Sequence, residues 1–169
     1  MPTSPVRDVL IQLFDAAIAG AATGPVTARG VESLSIPRGR RVWVLAIGKA
    51  AHAMAAATTG ALQRSRHEIA GGLIVAPEPA PAPYGTIQTA VGDHPVPSTN
   101  SFAAAARFGE LAGRMSSEDI AIVLVSGGAS SLIAAPIKGI TEKDITKLYE
   151  MLLASGLDIA QMNAVRKRF

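Results

Sequence analysis

The first residue in this sequence whose position could do chemistry is a lysine at a break in an apolar run. In VLAIGKAAHAMAAA (44–57) the apolar run ends at Gly48, Lys49 follows, and small helix-favouring residues continue. Lysine is a compact, mobile point charge. The turn from a buried strand into a helix is where α/β proteins gather anions. Lys49 is therefore either a ligand for a phosphate or carboxylate, or a solvated lysine on a surface turn.

Two further loops carry chemistry-bearing residue types. In SGGASS (126–131), Gly127 and Gly128 let the backbone approach a ligand and expose successive amide N–H groups, while Ser126, Ser130 and Ser131 add hydroxyls. The competing reading is a tight turn that needs glycine for packing; the clustered serines favour phosphate. GDHPVP (92–97) holds the one Asp-His pair of the chain. Either His94 shuttles a proton or Asp93 acts as a base. Asp93 could instead position a substrate hydroxyl or a hydrated Mg²⁺, which takes one or two carboxylates alongside phosphate oxygens. His94, standing before a proline, reads more readily as a turn residue. His52 and His67 read as structural or solvated, and three scattered histidines make no metal set.

These loops need elements to position them. VWVLAI (42–47) suits a strand buried on both faces, followed by a helix over 50–62. GGLIVA (71–76), TIQTAV (86–91) and DIAIVLV (119–125) read as further strands. PEPAPAP (77–83) is stiff and extended. Ser98 is placed to cap an alanine-rich helix ending near Gly113, and Thr141 with Asp144 resembles a capping box before a helix presenting Ile145, Leu148, Met151 and Leu152. Asp158 is placed to cap a last helix. At the start, Val6, Val9, Leu10, Leu13, Phe14, Ala17 and Ile18 recur at helical spacing, and 20–24 reads as the turn that ends that helix. Asp15 interrupts any secretory core, and no uninterrupted apolar stretch reaches membrane-spanning length. Alternating strands and helices imply an α/β, three-layer Rossmann-like domain: a mostly parallel sheet with helices on both faces. In such a sheet ligands bind beyond the carboxyl ends of the strands, and the three loops all follow strands.

Composition sets bounds. The 169 residues suffice for one domain, and 49% apolar with 17% charged residues indicates a globular chain. Aromatics are 4%, so the core is aliphatic. The net charge of +3, with no basic stripe interleaved with aromatics, does not argue for nucleic acid. The absence of cysteine removes disulfides, thiolate metal sites and a cysteine nucleophile, and fits a cytoplasmic chain. No G-x-G-x-x-G follows a strand, and Gly48-Lys49 is followed by alanine, so neither the usual nicotinamide fingerprint nor a P-loop is present.

Taken in order, AIGKAA, GDHPVPS, VLVSGGASSL and NAVRK resemble the glycerate 2-kinase family of the MOFRL type, whose bacterial members are often labelled hydroxypyruvate reductase. The resemblance runs from about residue 42 to the end. Ala129 departs from it, since many relatives carry a third glycine there. Family members continue into a second α/β domain. Residues 1–169 thus read as the N-terminal domain without the C-terminal one, and alone are expected to have little or no kinase activity. The resemblance implies ATP-dependent phosphorylation of D-glycerate at its 2-hydroxyl, with Mg²⁺, in a cleft between domains. Lys49 and Asp93 would then be catalytic. Gly48, His94, Ser126, Gly127, Gly128, Ser130, Ser131, Asn163, Arg166 and Lys167 would bind substrate and phosphate, and no residue is assigned to a metal. Arg166 and Lys167 also suit the last turn of a helix on electrostatic grounds alone. The expected partners are glycerate and a nucleotide, without nucleic acid or membrane; a homodimer is admitted. Two other readings stand beside this one. One is an NAD(P)H-dependent hydroxypyruvate reductase, against which the missing fingerprint argues. The other is a non-catalytic module binding organic acids or sugar phosphates.

Overall fold

The structure, a computed structural model, describes residues 5–169. Helices α1 (Pro5–Gly20) and α2 (Thr23–Glu32) precede strand β1 (Arg41–Ile47). Helix α3 (Ala51–Arg64) leads to β2 (Glu68–Ala76) and β3 (Ile87–Val91). Helix α4 (Thr99–Ala112) leads to β4 (Ile120–Val125), and α5 (Ala129–Leu132), α6 (Glu142–Ala154) and α7 (Ile159–Arg166) follow. The strands form one sheet in the order β3-β2-β1-β4, and every pairing is parallel. The expected α/β architecture is present.

β1 is central, and its apolar run is explained by burial on both faces. Val42, Val44 and Ala46 pack with Ala51, Ala55 and Leu62 of α3 and with Val31 of α2. Trp43, Leu45 and Ile47 pack with Ala104 and Leu111 of α4 and with Leu132 of α5. β4 differs. Ile122 and Leu124 face α3, but Val123 and Val125 on its other side are 54% and 60% exposed. Two-sided cover therefore holds for β1 and β2 and stops at β4.

Several local expectations are corrected. Residues 20–24 are not simply a turn, because α2 begins at Thr23. Two glycines and a proline within that helix hide it from propensity reading. Pro25 sits in the first turn, where a missing N–H costs nothing, and packing against α3 holds the rest. α1 is helical as expected, yet Val6, Leu10, Leu13, Phe14 and Ile18 are all more than half exposed. The stretch 6–32 passes for membrane-spanning by length and composition alone, although Arg7, Asp8 and Asp15 interrupt its apolar residues. In α6, Ile145, Tyr149 and Leu152 turn inward and Met151 faces solvent, an i, i+4, i+7 stripe. The Thr141–Asp144 capping box is formed, and Asp158 caps α7 in a second one with Gln161.

Candidate functional site

With the order β3-β2-β1-β4, the chain leaves β1 in one direction toward β2 and returns on the other side as β4. The topological switch lies between the carboxyl ends of β1 and β4, where open parallel sheets bind ligands. Gly48-Lys49 follows β1 there and 126–131 follows β4, so topology brings the two loops side by side.

Their contact is close. Lys49 N–H donates to Gly127 O at 2.9 Å, and Ala50 N–H donates to Ser126 Oγ at 3.0 Å. Gly48 has φ +126°, and a Cβ there would stand 2.6 Å from the carbonyl oxygen of Ser126. Glycine is obligatory at Gly48 because two backbones meet. Gly128 has φ +91°, so it needs glycine for conformation, and the point where its Cβ would stand is 3.0 Å from His94 Cδ2, 3.3 Å from Nε2 and 3.6 Å from Lys49 Cε. The third loop therefore joins the other two. Loss of solvent around the His94 ring, and secondarily the charge of Lys49, hold its pKa below the ordinary histidine value.

What the loop of 126–131 offers is narrower than its sequence. Ser126 Oγ is engaged by Ala50 N–H, and Ser131 is buried with its hydroxyl donating to Gly128 O at 3.1 Å. Both hydroxyls thus brace the turn from within. Ser130 is exposed and its carbonyl accepts from Tyr149 Oη at 2.8 Å. Among the described residues, the amides of Gly127, Gly128, Ala129 and Ser130 donate to no protein acceptor. A run of unbonded amides is an anion-binding concavity. Lys49 is exposed beside it and forms no ion pair among the described residues.

Asp93 is bonded within its own loop. Its carboxylate accepts from Ser98 Oγ, from Asn100 N–H at 3.0 Å and from Asn100 Nδ2 at 3.0 Å. Burial disfavours its charge, but these bonds and the backbone N–H of Ser101 outweigh it and hold its pKa below the usual aspartate value. Asp93 is thus a fixed anion that caps α4, and a poor proton acceptor. Ser98 occupies the cap position without bonding the helix, since its hydroxyl is spent on Asp93.

Asn163, Arg166 and Lys167 lie apart from Lys49. They line a separate cavity of about 360 Å³ with Ser130, Ile133, Tyr149 and Phe169, and reach the loop of 126–131 only through Ser130. Arg166 stacks on the Tyr149 ring at 4.3 Å. Among the described residues no group of three or more His, Asp or Glu side chains is placed to hold a metal ion.

His52, read from the sequence as structural or solvated, lies in this region. In the first turn of α3, it has both ring nitrogens shut off from solvent and without a partner. It lines a depression of about 490 Å³ with Lys49, Ala76 and Glu78. Its position three residues after Lys49 was the available signal.

Comparison with known proteins gives a consistent set. Residues 9–169 match the family described as Domain of unknown function (DUF4147). A protein of Agrobacterium vitis, named provisionally as a hydroxypyruvate reductase, is 37% identical over 161 residues, 95% of this chain and 35% of that protein. D-glycerate 2-kinase of Thermotoga maritima is 35% identical over 134 residues, 75% of this chain and 30% of that one. The crystal structure of a glycerate kinase from Thermotoga maritima matches with a TM-score of 0.79 at 30% identity, covering 96% of this chain and 38% of that one. The chain spans about a third of the length of the curated relatives it matches.

Proposed function

The chain belongs to the DUF4147 family, and from that premise we propose that it is the N-terminal part of a glycerate kinase that transfers a phosphoryl group from ATP to the 2-hydroxyl of D-glycerate. The observation that carries this reading is the meeting of Lys49, His94 and the unbonded amides of 127–130 at the switch point of the sheet. Relatives named as glycerate kinases share this part of the chain.

Phosphoryl transfer asks mainly for positioning and for compensation of negative charge. The amides of Gly127–Ser130 suit phosphate oxygens, which need donors without demanding a side chain. Lys49 offsets the charge of the acid or of the phosphoryl group in flight, an effect that grows when water is excluded. His94, uncharged near neutral pH by the direction of its shift, can donate or accept one hydrogen bond without competing with Lys49 for the anion. Asp93 orders the loop before α4 and so holds His94 in place. For Mg²⁺ no group of three or more His, Asp or Glu side chains is gathered among the described residues, and Asp93 already accepts three hydrogen bonds from Ser98 and Asn100. These residues do not fit a protein-held metal.

The test is ATP-dependent formation of 2-phosphoglycerate from D-glycerate, followed by ³¹P NMR with the longest polypeptide that carries this domain. Product is expected there, and its absence with intact folding overturns the kinase reading. The second reading, NAD(P)H-dependent reduction of hydroxypyruvate, is favoured by the name of the Agrobacterium vitis relatives. Loss of nicotinamide absorbance in the presence of hydroxypyruvate would establish it instead.

A further inference from the structure

An open amide serves an anion only if its peptide plane is held still. A trans peptide points its N–H and the preceding carbonyl in opposite directions, so a bond to that carbonyl aims the N–H. In the loop of 126–131 the carbonyls are taken one after another. Gly127 O accepts from Lys49 N–H at 2.9 Å, Gly128 O from the N–H groups of Ser131 and Leu132 at 3.2 and 3.3 Å, and Ala129 O from Ile133 N–H at 3.2 Å. These bonds leave the N–H groups of Gly128, Ala129 and Ser130 facing the other way. The next carbonyl, Ser130 O, has no helical donor: α5 has only 4 residues, and the N–H of Ala134 donates to Ser101 O. Ser130 O accepts instead from Tyr149 Oη at 2.8 Å, a donor 19 residues further along the chain in α6. Tyr149 is buried with Phe102 and Ile145, and that burial raises its pKa, so the hydroxyl keeps the proton it donates.

The Tyr149 ring has a second neighbour. Helix α7 buries no residue, yet its last residue, Arg166, lays its guanidinium over the ring at 4.3 Å from the centroid. Arg166 Nη1 donates to Asn163 Oδ1 at 3.3 Å, and Nε is shut off from solvent without a partner. One face, Nη1 and Nε of this guanidinium are therefore turned to the protein. We infer that Tyr149 is a positioning residue for the loop of 126–131, and that Arg166 acts on that loop through the Tyr149 hydroxyl rather than by touching a bound anion. Stacking fixes the ring, the ring fixes the hydroxyl, and the hydroxyl fixes the Ser130–Ser131 peptide at the exit of the loop. Without the hydroxyl the Ser130 carbonyl is free to turn its negative end toward the anion that the neighbouring amides attract. The influence of Arg166 on anion affinity is thus mechanical and does not depend on its charge. The inference rests on the kinase reading for the binding it serves, and on the loop geometry for the brace itself.

The test uses the longest polypeptide that carries this domain. Tyr149→Phe removes the hydroxyl and keeps the ring. It is expected to speed amide exchange at Ser131, Leu132 and Ile133 about tenfold while leaving the amides of β1 unchanged. It is also expected to weaken the binding of inorganic phosphate, followed by calorimetry, about fivefold, the size of one neutral hydrogen bond. Unchanged exchange at those three amides, or a parent that binds no phosphate, overturns the inference. Arg166→Ala is expected to weaken phosphate about threefold in the parent and not at all in Tyr149→Phe, because residues acting in series are not additive. Equal losses from Arg166→Ala in both backgrounds make Arg166 a direct partner of the anion and overturn the coupling. Arg166→Gln, planar but uncharged, is expected to stay within about twofold of the parent. A loss as large as that of Arg166→Ala would overturn the coupling as well. If exchange and phosphate respond as stated while no phosphoryl transfer to D-glycerate is found, the kinase reading alone falls and the brace stands.

Discussion

The two ends of β1 and β4 are built from similar residues and finished in opposite ways. At the amino ends, Arg41 holds Asp119 through two hydrogen bonds of 2.9 and 2.8 Å, and Trp43 Nε1 and the Ser116 N–H complete the carboxylate's shell. Arg40 pairs with Glu118 beside it. Two ion pairs thus close this corner, and Asp119 joins the start of β4 to the start of β1. At the carboxyl ends Lys49 has no ion pair, four loop amides have no acceptor and His52 has no partner, all among the described residues. A stability corner satisfies its polar groups. A binding corner leaves donors open and lets neighbouring groups hold them rigid, which costs stability and is tolerated where a ligand repays it. Asp93 stands on the carboxyl side but is finished like Asp119, its carboxylate bonded by Ser98 and Asn100.

The contrast is broken most directly at Lys49. Lys49→Ala in the longest polypeptide is expected to cut phosphorylation of D-glycerate about 100-fold or more, as loss of one charge-stabilising donor does. Urea unfolding should move by less than about 0.5 kcal/mol, because an exposed lysine supports little else. Lys49→Arg should rescue only in part, a planar fork being a poor substitute for a point charge. Steady-state rates within a factor of about 3 of the parent, under 1 kcal/mol in the barrier, would make Lys49 a solvated surface residue.

Next in size are the glycines of the same rim, which separate structural from ligand demands. Gly48→Ala meets the Ser126 backbone and is expected to cost about 3 kcal/mol in urea unfolding. Gly128→Val is confounded by the positive φ and by His94, so it cannot report on a ligand alone. Gly127 has nothing within 4 Å of its would-be Cβ and no positive φ. Gly127→Val should therefore fold with a stability change under about 1 kcal/mol. It should still bind inorganic phosphate about tenfold more weakly, a loss of 1.4 kcal/mol. Unchanged phosphate affinity by calorimetry would leave 126–131 as a packing turn.

Asp93→Ala sharpens the comparison on one residue. Loss of the cap should lower stability by about 1 kcal/mol and speed amide exchange in the first turn of α4. Turnover should fall less than 100-fold; a larger loss returns Asp93 to a proton-transfer role.

The smallest expected effect is the acid response of the paired corner. The Ser116 N–H first, then Arg41, hold Asp119 down to about 2, against an unfolded value near 3.9. A depressed carboxylate contributes stability above its unfolded pKa and loses it as pH falls through the folded one. Asp119→Asn should thus flatten the fall in thermal midpoint between about pH 4 and pH 2 while leaving D-glycerate binding at neutral pH unchanged. A wild-type slope in that window would remove Asp119 from the acid response.

Most of the framework was legible along the chain because it is local. The apolar run of 42–47, the capping box at Thr141 and the glycine ends of strands each declare themselves within a few residues, and alternation of strand and helix leaves few topologies. α2 was not legible, since packing against α3 overrides two glycines and a proline, and neither was the inward turn of Tyr149. The site divides in the same way. Residue types and their place after strands singled out Lys49, His94 and 126–131. Which atoms stay free depends on contacts from residues far along the chain: Ala50 takes Ser126, Asn100 takes Asp93, and Gly128 is closed over by His94. His52 shows the limit most clearly. Its place three residues after Lys49 hinted at the region, but only the packed fold shows that both its nitrogens lie buried without a partner. Sequence determined which groups could do chemistry; tertiary structure decided which remain unsatisfied, because satisfaction of a polar group is a property of its neighbours in space.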